Sequence, residues 1–187
     1  MDLAIDSQCG LVRRPIVERL AGIGLSPVTH IAVHGHQLKA RRAGHIVVRR
    51  GQLVAVFGRL WPYLGNHLRA AWDQRFRQTS ASEDHCELFY HTAISSQQFL
   101  TLSYLHSGEK TSVSSVYAAT LVLDEIARLK SSLAIVCNVT NDRISDRARA
   151  RWGWESHCHA WTGRHFIKRF YGEYPPIPAI WKTRLRM

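Results

Sequence analysis

The sequence predicts a mixed α/β (α+β) fold, a central mixed sheet flanked by helices. Three observations carry this. Phe99–His106 alternates apolar and polar residues at the period of a half-buried strand. Leu133–Thr140 is a nearly continuous apolar run of strand length, which suits a central strand buried on both faces. Between them lies a stretch whose apolar positions Val116, Ala119, Leu123 and Ile126 recur at helical spacing. A chain of 187 residues fits one domain, and its ordinary apolar content can fill one core.

The elements follow in chain order. Ile16–Leu25 reads as a short helix ended by Gly22 and Gly24, and Val28–His34 alternates like a strand. His45–Arg50 and Leu53–Phe57 are β-branched runs around Arg50-Gly51-Gln52, which predicts a hairpin; the competing reading is one long helix from Leu53. Trp61–Gln78 is helical, with Pro62 in the first turn and Leu60, Leu64, Leu68, Trp72 and Phe76 four apart. Cys86–His91 reads as a strand and Ile94–Ser96 as a turn. Gly108-Glu109-Lys110 ends the Phe99–His106 strand. Ser112 or Ser114 then caps a helix to about Lys130, with Asp124, Glu125 and Arg128 on its polar side. Asn141 or Asp142 caps the next helix, Arg143 to about Trp152, and Gly153 ends it. His157–Trp161 and His165–Tyr171 flank Thr162-Gly163-Arg164 as a second hairpin. Tyr174–Pro178 reads as a proline-rich tail that leaves the fold.

The formal charge of +11, most of it arginine, favours anionic partners such as nucleic acid or phosphate-bearing cofactors; the alternative is a basic solvated surface. The four cysteines are scattered with no CxxC pair, which argues against a structural zinc site and a disulfide framework. The first residues carry Asp2 and Asp6 and no apolar run, unlike a secretory signal. No stretch reaches the roughly 18 apolar residues of a membrane helix. A cytoplasmic protein with no membrane partner is the expectation.

The order strand, loop, helix, buried strand, helix, hairpin joins two local features. These are Thr140-Asn141 at the end of the buried strand and Arg151-Trp152-Gly153-Trp154 after the next helix. Together, over Phe99–Tyr171, they resemble the cofactor-binding half of the GNAT superfamily of N-acyltransferases. That family has an asparagine after its fifth strand and a helix ending in a Gly–aromatic pair, here Gly153-Trp154. The runs Asn141–Arg147 and His165–Gly172 are also similar to uncharacterised bacterial proteins, planctomycete ones among them, which implies no activity. The resemblance divides a single domain into a divergent half (1–98), a cofactor-type half (99–172) and a tail (173–187).

The resemblance implies acetyl-CoA or another acyl-CoA as cofactor and acyl transfer to an amine, on a small molecule or a protein. Two adjacent strands would splay, and the pantetheine arm would pair with free backbone groups of the first. The diphosphate would sit over the following helix N-terminus. The implied cofactor residues are Leu102, Ser103, Tyr104, Lys110, Thr111, Ser112, Ser114 and Asn141. The chain departs from the family in two places. The phosphate loop usually carries two closely spaced glycines, whereas Gly108–Ser115 has only Gly108, with Glu109 beside it. Many members place a proton-donating tyrosine four residues before the Gly of the pair. Here Arg149 stands there, able to stabilise a thiolate but not to donate a proton at neutral pH. Glu87, Asp84 and His91 are the candidates for a general base.

Other clusters have plainer readings. His157 and His159 on one strand face, with His165 across the hairpin, could chelate a metal, but surface histidines fit as well, and no metal is expected. Cys137 inside its apolar run suits a structural thiol better than a nucleophile. Arg143, Arg147, Arg149, Arg151, Arg164, Lys168 and Arg169, interleaved with Trp152, Trp154, Trp161 and Tyr171, could bind nucleic acid by phosphate contact and stacking. The alternative is arginines paired with Asp142 and Asp146 around core tryptophans. Three functions therefore stand open: an N-acyltransferase, a non-catalytic relative that binds a ligand or partner, and a basic nucleic-acid-associated module.

Overall fold

The structure, a computed structural model, describes residues 26–59, 83–139 and 144–187. The elements are α1 (Ile31–Ala40), β1 (Ala43–Arg49), β2 (Gln52–Arg59), β3 (His85–Thr92), β4 (Phe99–Ser107), α2 (Val113–Leu129), β5 (Ala134–Val139), α3 (Asp146–Arg151), β6 (Glu155–His157), β7 (Arg164–Arg169) and α4 (Ala179–Leu185). The strands form one mixed sheet in the order β2-β1-β3-β4-β5-β7-β6. All neighbours are antiparallel except β4 and β5, which α2 joins as a parallel crossover. Among the described residues this is the predicted mixed α/β architecture. No helix there is long and apolar enough to cross a membrane.

Register sorts the two faces of the sheet. Ile46 opposes Leu88, Val48 opposes Cys86, and Leu88 opposes Leu105. With Val56 and Leu53 these apolar side chains face the core under α2, which packs on β1, β2 and β3, with α1 and α4 against it. The alternate positions His45, Phe57, Glu87, Phe89 and Tyr104 share the other face. The β1–β2 hairpin closes through Arg50 (φ 50°) and Gly51 (φ 70°), the paired positive dihedrals of a type I′ turn. This excludes the long helix from Leu53.

Several expectations are corrected. Val28–His34 is not a strand. Val28 makes one isolated bridge to Val56, and α1 begins at Ile31, burying Ile31, Gly35 and Leu38 at helical spacing. Asp124 is not on a solvated face; it is buried against Lys168. β5 is buried on both faces only at Ala134 and Ile135, and Asn138 is exposed. The helix before Gly153 is shorter than expected, and Ser145 caps it by accepting from the Ala148 amide. β6 comes earlier than expected and ends at His157, so His159 lies in the loop.

The proline-rich segment does not leave the fold. It leads into α4, where Leu185 is fully buried. The Arg186 carbonyl accepts from the Ile31 and Ala32 amides and so caps α1, which has no side-chain cap of its own. The expected helices Ile16–Leu25 and Trp61–Gln78, and the residues Thr140–Arg143 with their Asn141 cap, lie outside the described residues.

Candidate active site

The parallel pairing of β4 with β5 runs only from Phe99 opposite Ala134 to Leu102 opposite Cys137. β4 continues to Ser107 and β5 to Val139 without sharing a ladder. On the β3 side, Phe89 opposes Tyr104 while Tyr90 opposes Leu102, so Ser103 is an extra residue. Such a bulge bends its strand. Past Leu102 the two strands diverge around a hollow of about 290 Å³. Leu102, Leu105, Ile144, Trp152 and Trp154 give it apolar walls; Ser103, Tyr104, Thr120, Asn138 and Arg149 give it polar ones.

The far wall is set by the end of α3. The Gly153 amide donates to the Ala150 carbonyl and the Trp154 amide to that of Arg149, a Schellman pair that needs Gly153 at φ 83°. This turn swings Trp154 into burial beside the hollow. Arg149 is also buried. Its guanidinium lies 4.6 Å from the Phe166 ring centroid and bonds Asp146, which also accepts from Arg164 at 2.5 Å. Burial pushes the Cys137 thiol up to about 12, against the pull of Arg149, so it stays protonated and is a wall residue.

The N-terminus of α2 is tied down from within. Ser112 is the N-cap of α2, and its side chain accepts from the Ser115 amide. The Ser112 amide donates to Asp84 Oδ1 at 2.9 Å and its hydroxyl to Oδ2 at 2.7 Å. The Thr111 hydroxyl donates to the His85 carbonyl, and the Gly51 amide donates to the Ser115 hydroxyl. Burial alone would raise the Asp84 carboxyl, but the Ser112 and Ser115 hydrogen bonds and the charge of Arg50 hold it below the usual carboxylate range. Thr111 and Ser112 thus spend their hydroxyls inside the protein, while Lys110 and Ser114 are exposed.

The acid–base candidates separate. Glu87 is buried between two imidazoles, with His85 Nε2 at 2.7 Å and His45 Nε2 at 3.1 Å. His45 in turn stacks on Phe89 with ring centroids 4.2 Å apart. Burial alone would raise the Glu87 carboxyl; bonds from the imidazoles and their positive charge outweigh it and hold the group at about 2. Glu87 does not line the hollow. His91 is connected to it: its Nδ1 lies 2.7 Å from the Ser103 hydroxyl on the bulge. Burial lowers the His91 pKa.

No protein-family model matches this chain, and no curated protein matches it. Among solved structures it is similar to nourseothricin acetyltransferase, seen in a crystal structure. The identity is 11%, over 78% of this chain and 98% of that one, with a TM-score of 0.38. So low a score adds nothing to the strand order and the slot, which stand on their own geometry.

Of the residues implied for the cofactor, the fold brings Leu102, Ser103 and Tyr104 to the hollow, with Arg149 opposite. Lys110, Thr111, Ser112 and Ser114 do not line it, and Asn141 lies outside the described residues. Sequence reasoning missed Thr120, Asn138 and Ile144 as wall residues. Nothing local marks them, because the wall forms only when α2, β5 and the segment before α3 meet. A second hollow of about 400 Å³, sharing Trp154, is lined by His157, His159 and His165 among others. Among the described residues no group of three His, Cys, Asp or Glu is arranged to hold a metal. The basic cluster is largely paired: Arg149 and Arg164 with Asp146, Arg169 with Glu155, and Lys168 with buried Asp124 at 2.7 Å.

Proposed function

We propose that the chain is an acyl-CoA-type N-acyltransferase that transfers an acetyl group to an amine, with the donor's pantetheine arm held between β4 and β5. The observation that supports this is the divergence of the two parallel strands beyond Leu102 and Cys137. Beyond those residues the β4–β5 ladder stops and β4 faces the hollow at Ser103 and Leu105, a setting in which buried backbone groups need a hydrogen-bonding partner. An extended arm with two amides of its own meets that need. The apolar walls suit its methylene segments.

The donor would supply an activated thioester carbonyl. Attack by a neutral amine on that carbonyl releases a proton and, on collapse, a thiolate. His91, linked to the slot through Ser103, suits the proton acceptor, since its lowered pKa keeps it neutral at pH 7. Arg149, a permanent cation in the opposite wall, suits stabilisation of the departing thiolate. A second reading is a ligand-binding relative without turnover. The presence of Arg149, where a proton donor would serve the thiolate, favours it.

Thermal shift with acetyl-CoA and with S-acetylpantetheine, beside turnover on a panel of amines, separates them. A ligand at one hundred times its Kd stabilises by about 2.7 kcal/mol. Stabilisation with amine acetylation is the expected result. Stabilisation without turnover favours the second reading. No shift with either donor at millimolar concentration overturns both.

A further inference from the structure

The two halves of an acyl-CoA meet different surfaces here. The slot fits the pantetheine arm, but the α2 terminus does not fit a diphosphate. Asp84, just before β3, has already delivered a carboxylate there and takes both the amide and the hydroxyl of Ser112. A diphosphate at the same helix end would lie beside that fixed negative charge. Of the neighbouring hydroxyls, Thr111 donates to the His85 carbonyl, Ser115 accepts from the Gly51 amide and bonds Asp84, and exposed Ser114 lies 2.8 Å from the Ser112 hydroxyl.

We propose that Asp84 is a specificity-determining residue: it fills the seat of the diphosphate, so the slot selects acyl-pantetheines by their amide arm and gains nothing from the nucleotide diphosphate of CoA. This rests on the acyl-donor reading of the slot. The donor class is then any acyl-pantetheine thioester, with or without a nucleotide. Attraction of a basic protein for CoA acts at long range and weakens with salt, whereas the Asp84 carboxylate acts at contact.

The test compares the affinities of S-acetylpantetheine and acetyl-CoA for the full chain at physiological salt, by calorimetry, in wild type and in Asp84→Asn. Asparagine keeps an oxygen for the Ser112 amide and removes the charge. Asp84→Ser serves as a second variant, and circular dichroism checks the fold of each. Wild type is expected to bind the two donors within about threefold of each other. The variants are expected to bind acetyl-CoA at least tenfold more tightly, about 1.4 kcal/mol, with S-acetylpantetheine unchanged. A wild-type preference of tenfold or more for acetyl-CoA, or a donor ratio that the variants leave unchanged, overturns the role of Asp84 and leaves the slot standing. Failure of both donors to bind any of the three proteins overturns the slot reading, and this inference with it.

Discussion

His91 and Glu87 sit four residues apart on one strand, and their surroundings give them different work. His91 reaches Ser103 at the slot, whereas Glu87 is enclosed by two imidazoles. Replacing His91 by alanine is expected to lower kcat/KM for amine acetylation by roughly 10²–10⁴-fold while leaving donor affinity intact. The acid limb of the wild-type pH–rate profile should fall below pH 6.5, because burial lowers that histidine from its ordinary value. Glu87 governs stability instead. Its carboxyl is lowered from 4.5 to about 2 on folding, so its contribution is complete above pH 4.5 and is lost as pH falls from there toward 2. Acid unfolding of wild type and Glu87→Gln should show this, with the variant losing less stability across that interval. Gly153 is a third such residue. An alanine there would have to hold φ 83° and its Cβ would come 3.2 Å from Lys168 Cε, so Gly153→Ala should cost about 1–2 kcal/mol in denaturant unfolding. The Ser112 cap and the Gly153 stop were legible in the sequence because capping is local. The partners of Glu87 and Asp84 were not, because they come from strand register and from a helix start 28 residues away.

At the scale of elements, legibility followed the same rule. The β-branched runs around Arg50-Gly51-Gln52 predicted their hairpin against the alternative of a long helix, and the alternation of β4 reads directly off Phe99–His106. Val28–His34 misled because a strand alternation and the start of a helix share residues over so short a window. The helix prevails because Ile31, Gly35 and Leu38 all reach the core, and Gly35 packs near Leu129 of α2. The tail misled because prolines mark where a chain stops being regular, not where it goes afterwards. Its α4 returns to bury Leu185 and to cap α1 through Arg186. Leu185→Ala should therefore destabilise the protein by roughly 2–5 kcal/mol, the range for an emptied core position. A tail that left the fold would show no such loss, so thermal or denaturant unfolding of this variant checks the element directly.

For the whole molecule, what matters is where the single parallel contact falls. Among the described residues six neighbouring strand pairs build the sheet, five of them antiparallel. The parallel pair meets over only four residues of each strand before parting, on a bulge at Ser103 and against the Gly153 turn. Composition could suggest an anionic partner for a +11 chain and could not say where it would lie. The succession of strand, helix, buried strand, helix and hairpin in the second half was legible, and the adjacency of β4 and β5 was implied only by the GNAT resemblance. The opening was implied by that resemblance but not readable from the residues, because divergence depends on a bulge and on tryptophans that only the folded chain brings together. The central claim is that this opening holds an acyl-pantetheine arm against β4. Hydrogen–deuterium exchange of the full chain with and without millimolar S-acetylpantetheine tests it most directly. Slowed exchange is expected at the amides of Ser103–Leu105, with little change in β1, β2 or the β6–β7 hairpin. Unchanged exchange in β4, or protection confined to the basic surface of α3 and β7, would contradict it.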